Sequence, residues 1–268
     1  MSSIEGLIAS LIIGLSLGLI GGGGSILTVP VLVYLFHVDP VTATAYSLFI
    51  VGTTSLVGVF PKYKEGMVSM KTAIIFGIPS IAAVFATRKW LVPAIPEHIL
   101  TLGNFEISKP IMLMLIFAVL MTFASFSMIR EKGEAGQDEN ENKELHFNYP
   151  LILIEGIVVG VLTGLVGAGG GFLIIPALVL FSKLPMKKAV GTSLLIIAMK
   201  SLFGFTGDLS HTKMDWTLLL TVTALAVIGI FFGNRLSRNV DAHKLKKGFG
   251  WFVLVMGIYI IIKEVFLR

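Results

Sequence analysis

The chain has 268 residues, 55% of them hydrophobic and 14% charged, with a mean hydropathy of +0.90. Soluble domains carry about 25% charged residues, so an ordinary soluble protein is excluded. The absence of cysteine rules out disulfides, thiolate catalysis and thiolate metal sites. A net charge of +5 fits lysines and arginines flanking membrane helices, and no basic patch interleaved with aromatics points to nucleic acid.

Met1-Ser2-Ser3-Ile4-Glu5 has no basic lead-in of the signal-peptide kind, so the first segment is expected to stay in the membrane. Residues 4–36 form one apolar stretch interrupted by glycines. A straight helix of that length, at 1.5 Å per residue, far exceeds a hydrocarbon core of about 30 Å. The stretch must tilt, bend or fold partly back at the interruption. Further spans are expected at 41–60, 70–90 and 110–129, with Pro93, Pro96 and Gly103 marking a connector. Residues 131–148 are strongly polar and read as a linker. The second half repeats the plan with spans at 151–181, 187–206, 216–236 and 245–266.

A shift of 146 residues brings Gly14 onto Gly160, Gly18 onto Gly164, Leu32 onto Leu178, Ala43 onto Ala189, Ser47 onto Ser193, Ser55 onto Ser201 and Gly58 onto Gly204. The expected fold is an all-α polytopic membrane protein. It has about eight transmembrane helices in two homologous four-helix repeats (1–130 and 149–268), and a glycine-rich segment breaks the first helix of each. A four-plus-four count favours parallel halves; re-entrant hairpins at the breaks would instead invert them. On the eight-span count Arg88 and Lys89 join Lys187, Lys188 and Arg235 among the loop bases of one side. That side is the cytoplasmic one by charge bias, which leaves both termini outside.

The most informative feature is the doubled break. Gly18-Leu19-Ile20-Gly21-Gly22-Gly23-Gly24-Ser25 followed by Pro30 recurs as Gly164-Leu165-Val166-Gly167-Ala168-Gly169-Gly170-Gly171 followed by Pro176. Glycine in a helix interior costs about 1 kcal/mol relative to alanine, so both runs should melt locally. Unwound backbone at membrane depth is tolerated where protein buries it or where it lines a cavity, and paired interruptions point to a transporter binding site. The following half-helices start near Ser25-Ile26 and Gly171-Phe172, where unpaired amides and the helix dipole suit an anion. Gly22, Gly23, Gly24, Ser25, Gly169, Gly170, Gly171 and Phe172 are therefore candidate substrate ligands. The plainer reading is that small residues let helices cross tightly.

These features resemble the sulfite exporter TauE/SafE family of bacterial anion permeases. The resemblance rests on the doubled glycine motif with its prolines, on Thr192-Ser193-Leu194, and on the Asp208 and Asp215-Trp216 region. It implies transport of small sulfur- or carbon-containing oxyanions across the bacterial inner membrane. The chain departs from the family pattern at Lys200, where an uncharged polar residue such as asparagine is expected.

Lys200 lies inside the sixth span, and an ionisable group there costs at least ~2.5 kcal/mol on insertion scales. Facing a cavity it would offset an anion's charge or exchange a proton; the alternative is snorkelling towards the helix end. Hydroxyls cluster at Thr44, Ser47, Thr53, Thr54 and Ser55 and at Thr192, Ser193 and Ser201. Ser47 and Ser193 are the preferred pair because the repeat places them symmetrically, although such hydroxyls often bond their own helix carbonyls. Glu155, one turn into the fifth span, is a candidate proton carrier or an interfacial carboxylate. Asp208 is expected in a loop and Asp215 at a helix start. The five histidines are scattered and make no metal-ligand spacing, and the methionines and phenylalanines read as packing or lipid-facing.

The expected function is secondary transport of a small anion by alternating access, without ATP, since no Gly-x-x-x-x-Gly-Lys-[Ser/Thr] occurs. No cofactor or metal is expected. The partners are the anionic substrate, the lipid bilayer and a second copy of the chain, with proton coupling and plain anion efflux both open. A passive anion channel is the first alternative. An integral-membrane enzyme is the second, opposed by the missing His-Glu-x-x-His and the lack of clustered acids within any span.

Overall fold

The computed structural model describes residues 4–102, 105–130, 149–180, 182, 184–237 and 242–266. The polar linker expected at 131–148 lies outside the described residues. The described chain is almost wholly helical. In order come α1 (Ile4–Ile20), a 3-10 turn (Gly21–Leu27), α2 (Thr28–Tyr34), α3 (Pro40–Lys64) and α4 (Met70–Ala86). A π-helical turn (Thr87–Leu91) and a last turn α5 (Val92–Ala94) extend α4, followed by β1 (His98–Leu102), β2 (Phe105–Ser108) and α6 (Lys109–Arg130). The second half supplies α7 (Tyr149–Val166), α8 (Gly171–Leu180), α9 (Met186–Asp208), α10 (Trp216–Leu236) and α11 (Ala242–Phe266).

Five of these helical stretches are long and apolar enough to cross a bilayer: Pro40–Lys64, Met70–Ala94, Lys109–Arg130, Met186–Asp208 and Trp216–Leu236. Their outer faces carry exposed Ile78, Phe123, Phe126, Phe231 and Phe232, the surface a lipid-facing helix needs. The connector marked by Pro93, Pro96 and Gly103 contains a small antiparallel hairpin, with Leu102 opposite Phe105. Its alternation is too short to stand out in so apolar a chain.

Helix starts follow local chemistry. Asp39 accepts from the Val41 and Thr42 amides at 3.0 and 3.2 Å ahead of Pro40, and Asp215 accepts from the Leu218 amide at 3.1 Å. The reading of Asp215 as a helix start holds. Asp215→Ala should lower stability by about 1 kcal/mol, read as a lower thermal midpoint of the purified protein; an unchanged midpoint would show the cap to be idle.

The glycine-rich segments reverse the chain. A Cβ on Gly24 would fall on the backbone of Ser16 and Leu17, and one on Gly6 would meet the Phe36 ring. Residues that in a continuous helix would lie about two turns or more apart are thus side by side. Gly170 likewise lies against Thr163. Each interrupted stretch is a helical hairpin with its tip at the glycines.

The two tips differ. The second is unwound, with Gly167, Gly169 and Gly170 at φ of +71°, +65° and +72°, a left-handed region that favours glycine. The first does not melt as expected. Only Gly21 has positive φ, +71°, and the run coils into a tight 3-10 turn in which Ser25 Oγ donates to the Gly22 carbonyl at 2.8 Å. The missing side chains let the turn tighten without eclipsing its neighbours.

Helix packing settles the relative direction of the elements. Gly14 packs on Ala226 and Gly18 on Gly233, so α1 and α10 run the same way. Gly156 packs on Phe76, Gly160 on Ser80 and Gly164 on Thr87, so α7 runs along α4. By contrast Gly204 meets Leu48, Gly52 meets Leu202 and Gly191 meets Met67, making α3 and α9 antiparallel. Gly250 against Met128 and Gly257 against Ala118 make α6 and α11 antiparallel too. The expectation of parallel halves is corrected: elements equated by the internal match point in opposite directions. The reason is the fold-back at each break, which returns the chain to the side it came from before three further helices follow.

Candidate functional site at the crossing of two helix breaks

The hairpin tips meet between α3 and α9. A Cβ on Gly171, the first residue of α8, would land on the Gly22 backbone; one on Gly22 would lie 2.6 Å from the Gly171 Cα. Gly169 lies against Val51 of α3, Ile197 of α9 and the Cβ of Ser25, while Gly167 packs on the Thr44 backbone. Ser25, Ile26, Ala168 and Phe172 are buried. Only backbone without side chains could cross this closely. The tips are in mutual contact, and an anion entering between them must part them.

Lys200 is the one cation against this crossing among the described residues. Its side chain is fully buried, and Nζ donates to Thr163 Oγ1 at 2.9 Å. Thr163 in turn donates to the Gly160 carbonyl at 3.3 Å. A Cβ on Gly170 would lie 2.8 Å from that Nζ, so the ammonium rests directly on the second tip. The register that pairs Gly52 with Leu202 puts Lys200 level with the middle of α3, not at a helix end. The snorkelling alternative is thereby removed: Lys200 turns inwards to α7.

The remaining candidates divide. Gly22, Gly24, Ser25, Gly169, Gly170 and Gly171 belong to the two tips, with Gly23 in the same turn. Phe172 follows in the first turn of α8, packed in the apolar core with Ile26 and Val166. Thr192 is not brought to the crossing as a free hydroxyl, since its Oγ1 accepts from the Ser69 amide at 2.9 Å where α4 begins. Ser193 donates to the Val190 carbonyl of its own helix at 2.8 Å. Ser47 is buried, with no hydrogen-bond partner for its hydroxyl among the described residues. Because α3 and α9 are antiparallel, Ser47 and Ser193 lie near opposite ends of the pair, roughly 20 Å apart along the axis at 1.5 Å per residue. They cannot hold one small anion together. Glu155 is half-buried on α7, roughly 18 Å along the helix from the tip at Gly167, which removes it from the crossing.

Two charged residues lie where the sequence reading did not place them. Arg88, counted among loop bases, is fully buried in the π-helical turn beyond α4. Asp208, expected in a loop, is the buried last residue of α9 and faces it, with Nε–Oδ2 at 3.5 Å. The available signal was Trp90-Leu91-Val92, which continues the apolar pattern past Arg88. No cluster of metal-ligating side chains occurs among the described residues.

Compared with protein families, residues 6–260 match the description "Sulfite exporter TauE/SafE". The chain belongs to the sulfite exporter TauE/SafE family. A Xylella fastidiosa protein described as "Probable membrane transporter protein" is 29% identical over 253 residues, covering 93% of this chain and 91% of that protein. The Bacillus subtilis "Probable membrane transporter protein YdhB" is 28% identical over 237 residues, covering 88% and 90%. Its companion from the same organism, "Probable membrane transporter protein YunE", is 28% identical over 275 residues, covering 98% and 96%. No solved structure matches the chain.

This TauE/SafE member is thus a multi-pass membrane protein of a transporter family. Its distinctive chemistry is a buried ammonium resting on paired, side-chain-free helix tips.

Proposed function

We propose that the protein is a secondary carrier of small sulfur oxyanions, sulfite or an organosulfonate, in the bacterial inner membrane. Two inverted repeats rock about the crossing of their hairpin tips. The substrate is held there by the amides of Gly169–Phe172 and by Lys200, with the Gly22–Ser25 turn closing against it. The observation that carries this reading is the contact of Gly22 with Gly171 beside the Lys200 ammonium. The tips of two interrupted helices meet level with the middle of α3, which fits alternating-access carriers built from inverted repeats. The sulfur oxyanion comes from the family description; the compact, three-oxygen face and negative charge shared by sulfite and a sulfonate suit bare amides.

The closed tips support a carrier over a passive pore, because the substrate must separate them to bind. In a carrier, parting the tips towards one side leaves the packing on the other intact. Lys200 supplies positive charge without a carboxylate partner among the described residues, so the bound anion itself becomes the counter-ion. Coupling to protons would run through the same ammonium, which can lose its proton as the anion leaves.

Flux into proteoliposomes tests the reading. Saturable uptake of labelled sulfite or methanesulfonate, inhibited by unlabelled substrate and accelerated by substrate on the far side, is expected. Conductance that does not saturate would make the protein a channel, and chemical alteration of the sulfonate would make it an enzyme.

A further inference from the structure

Arg88 is the largest fully buried side chain among the described residues, and it is poorly satisfied. Among the described residues none of its three guanidinium nitrogens has a hydrogen-bond partner, and neither does Oδ2 of Asp208. Their only mutual contact is the 3.5 Å approach of Nε to Oδ2, leaving the two terminal nitrogens of the fork unused. A buried pair that merely latched two helices would need good hydrogen bonds to offset several kcal/mol of desolvation per ion. This pair lacks them. The guanidinium fork is instead shaped for two oxygens of one oxyanion.

The surroundings fit the same use. Arg88 lies in a π-helical turn, a distortion that recurs at functional sites. Opposite it stands Gly207, where a Cβ would come within 3.0 Å of the Arg88 Cβ, so α9 approaches without a side chain in the way. The neighbouring Thr87 packs on Gly164, next in sequence to the Thr163 that holds Lys200. Two buried cations therefore flank the last turn of α7, one at the hairpin tips and one towards the end of α9.

We propose that Arg88 is a second oxyanion ligand on the path to the hairpin tips, occupied by the Asp208 carboxylate in the closed conformation and handed to the substrate as Asp208 gives way. The proposal rests on the carrier reading above and adds a station to it. Asp208 acts as a built-in competitor: it neutralises Arg88 when no anion is present and must be displaced by one. Because Asp208 ends α9, its displacement also frees the end of a helix that packs against the crossing.

The test measures methanesulfonate binding to the purified full-length protein by titration calorimetry, with monodispersity checked by size-exclusion chromatography. Methanesulfonate keeps its charge across the working pH, so protonation does not confound the result. Asp208→Asn, which removes the competing charge, should tighten binding by about tenfold. Arg88→Lys, which keeps the charge but loses the fork, should weaken it by about tenfold or more. Unchanged or weaker binding by Asp208→Asn overturns the proposal even if the Arg88 variant fails to fold; so does wild-type affinity in Arg88→Lys. If Lys200→Met abolishes binding while both of these variants bind like wild type, the carrier reading stands and this station falls. If wild type neither binds nor transports any sulfonate, both fall.

Discussion

Gly171→Ala is expected to reduce substrate flux by at least about tenfold, although it adds a single methyl group. The new Cβ would land on the backbone of Gly22, and backbone cannot rotate out of the way as a side chain can. Overpacking of this kind costs about 1–3 kcal/mol, and here it falls on the contact that the proposed carrier cycle would open and close. Gly77→Ala is the matched control. No atom lies within 4 Å of the Cβ it would introduce in α4, and the helix gains up to about 1 kcal/mol from alanine's propensity. Flux per molecule and thermal midpoint measured for both variants decide the matter. Wild-type flux in Gly171→Ala would mean that the tips are a passive crossing.

Lys200→Met should separate stability from function. The ammonium is fully buried and its one hydrogen bond is to the Thr163 hydroxyl. Burying an ammonium costs desolvation that no carboxylate offsets here, so an apolar side chain of similar length should leave stability unchanged or raise it. Transport should nevertheless fall at least about tenfold, because the charge that offsets the anion is gone. A variant with a raised thermal midpoint and lost flux is the expected pattern. A variant that transports normally would leave the ammonium as a packing feature with no part in the cycle.

The fold was legible where one physical signal dominated. Apolar length located five of the expected spans, although the one expected at 70–90 continues to Ala94. The glycine runs marked both breaks but not their shapes. The same composition coils at Gly21–Leu27 and unwinds at Gly167–Gly170, since the outcome depends on what each tip packs against.

Direction was the main loss. The internal match equates Ser47 with Ser193, but sequence likeness carries no information on which way a helix crosses. Once the hairpins reverse the chain, the two serines go to opposite ends of an antiparallel pair. Lys200 was legible as a charge out of place, and its position against Gly170 follows from the fold alone. Asp208 was hidden for the converse reason. A carboxylate beside Leu209-Ser210-His211 reads as loop until its partner, 120 residues earlier in the chain, is brought to it.

One claim holds the account together: a sulfur oxyanion binds where chain segments from the two halves cross bare of side chains. An experimental structure determined with methanesulfonate in saturating amount tests it most directly. The account predicts anion density within about 3.5 Å of the Gly169–Phe172 backbone nitrogens and of Lys200 Nζ, with the Gly22–Gly171 contact opened. Density confined elsewhere, with that contact still closed around no ligand, would contradict it.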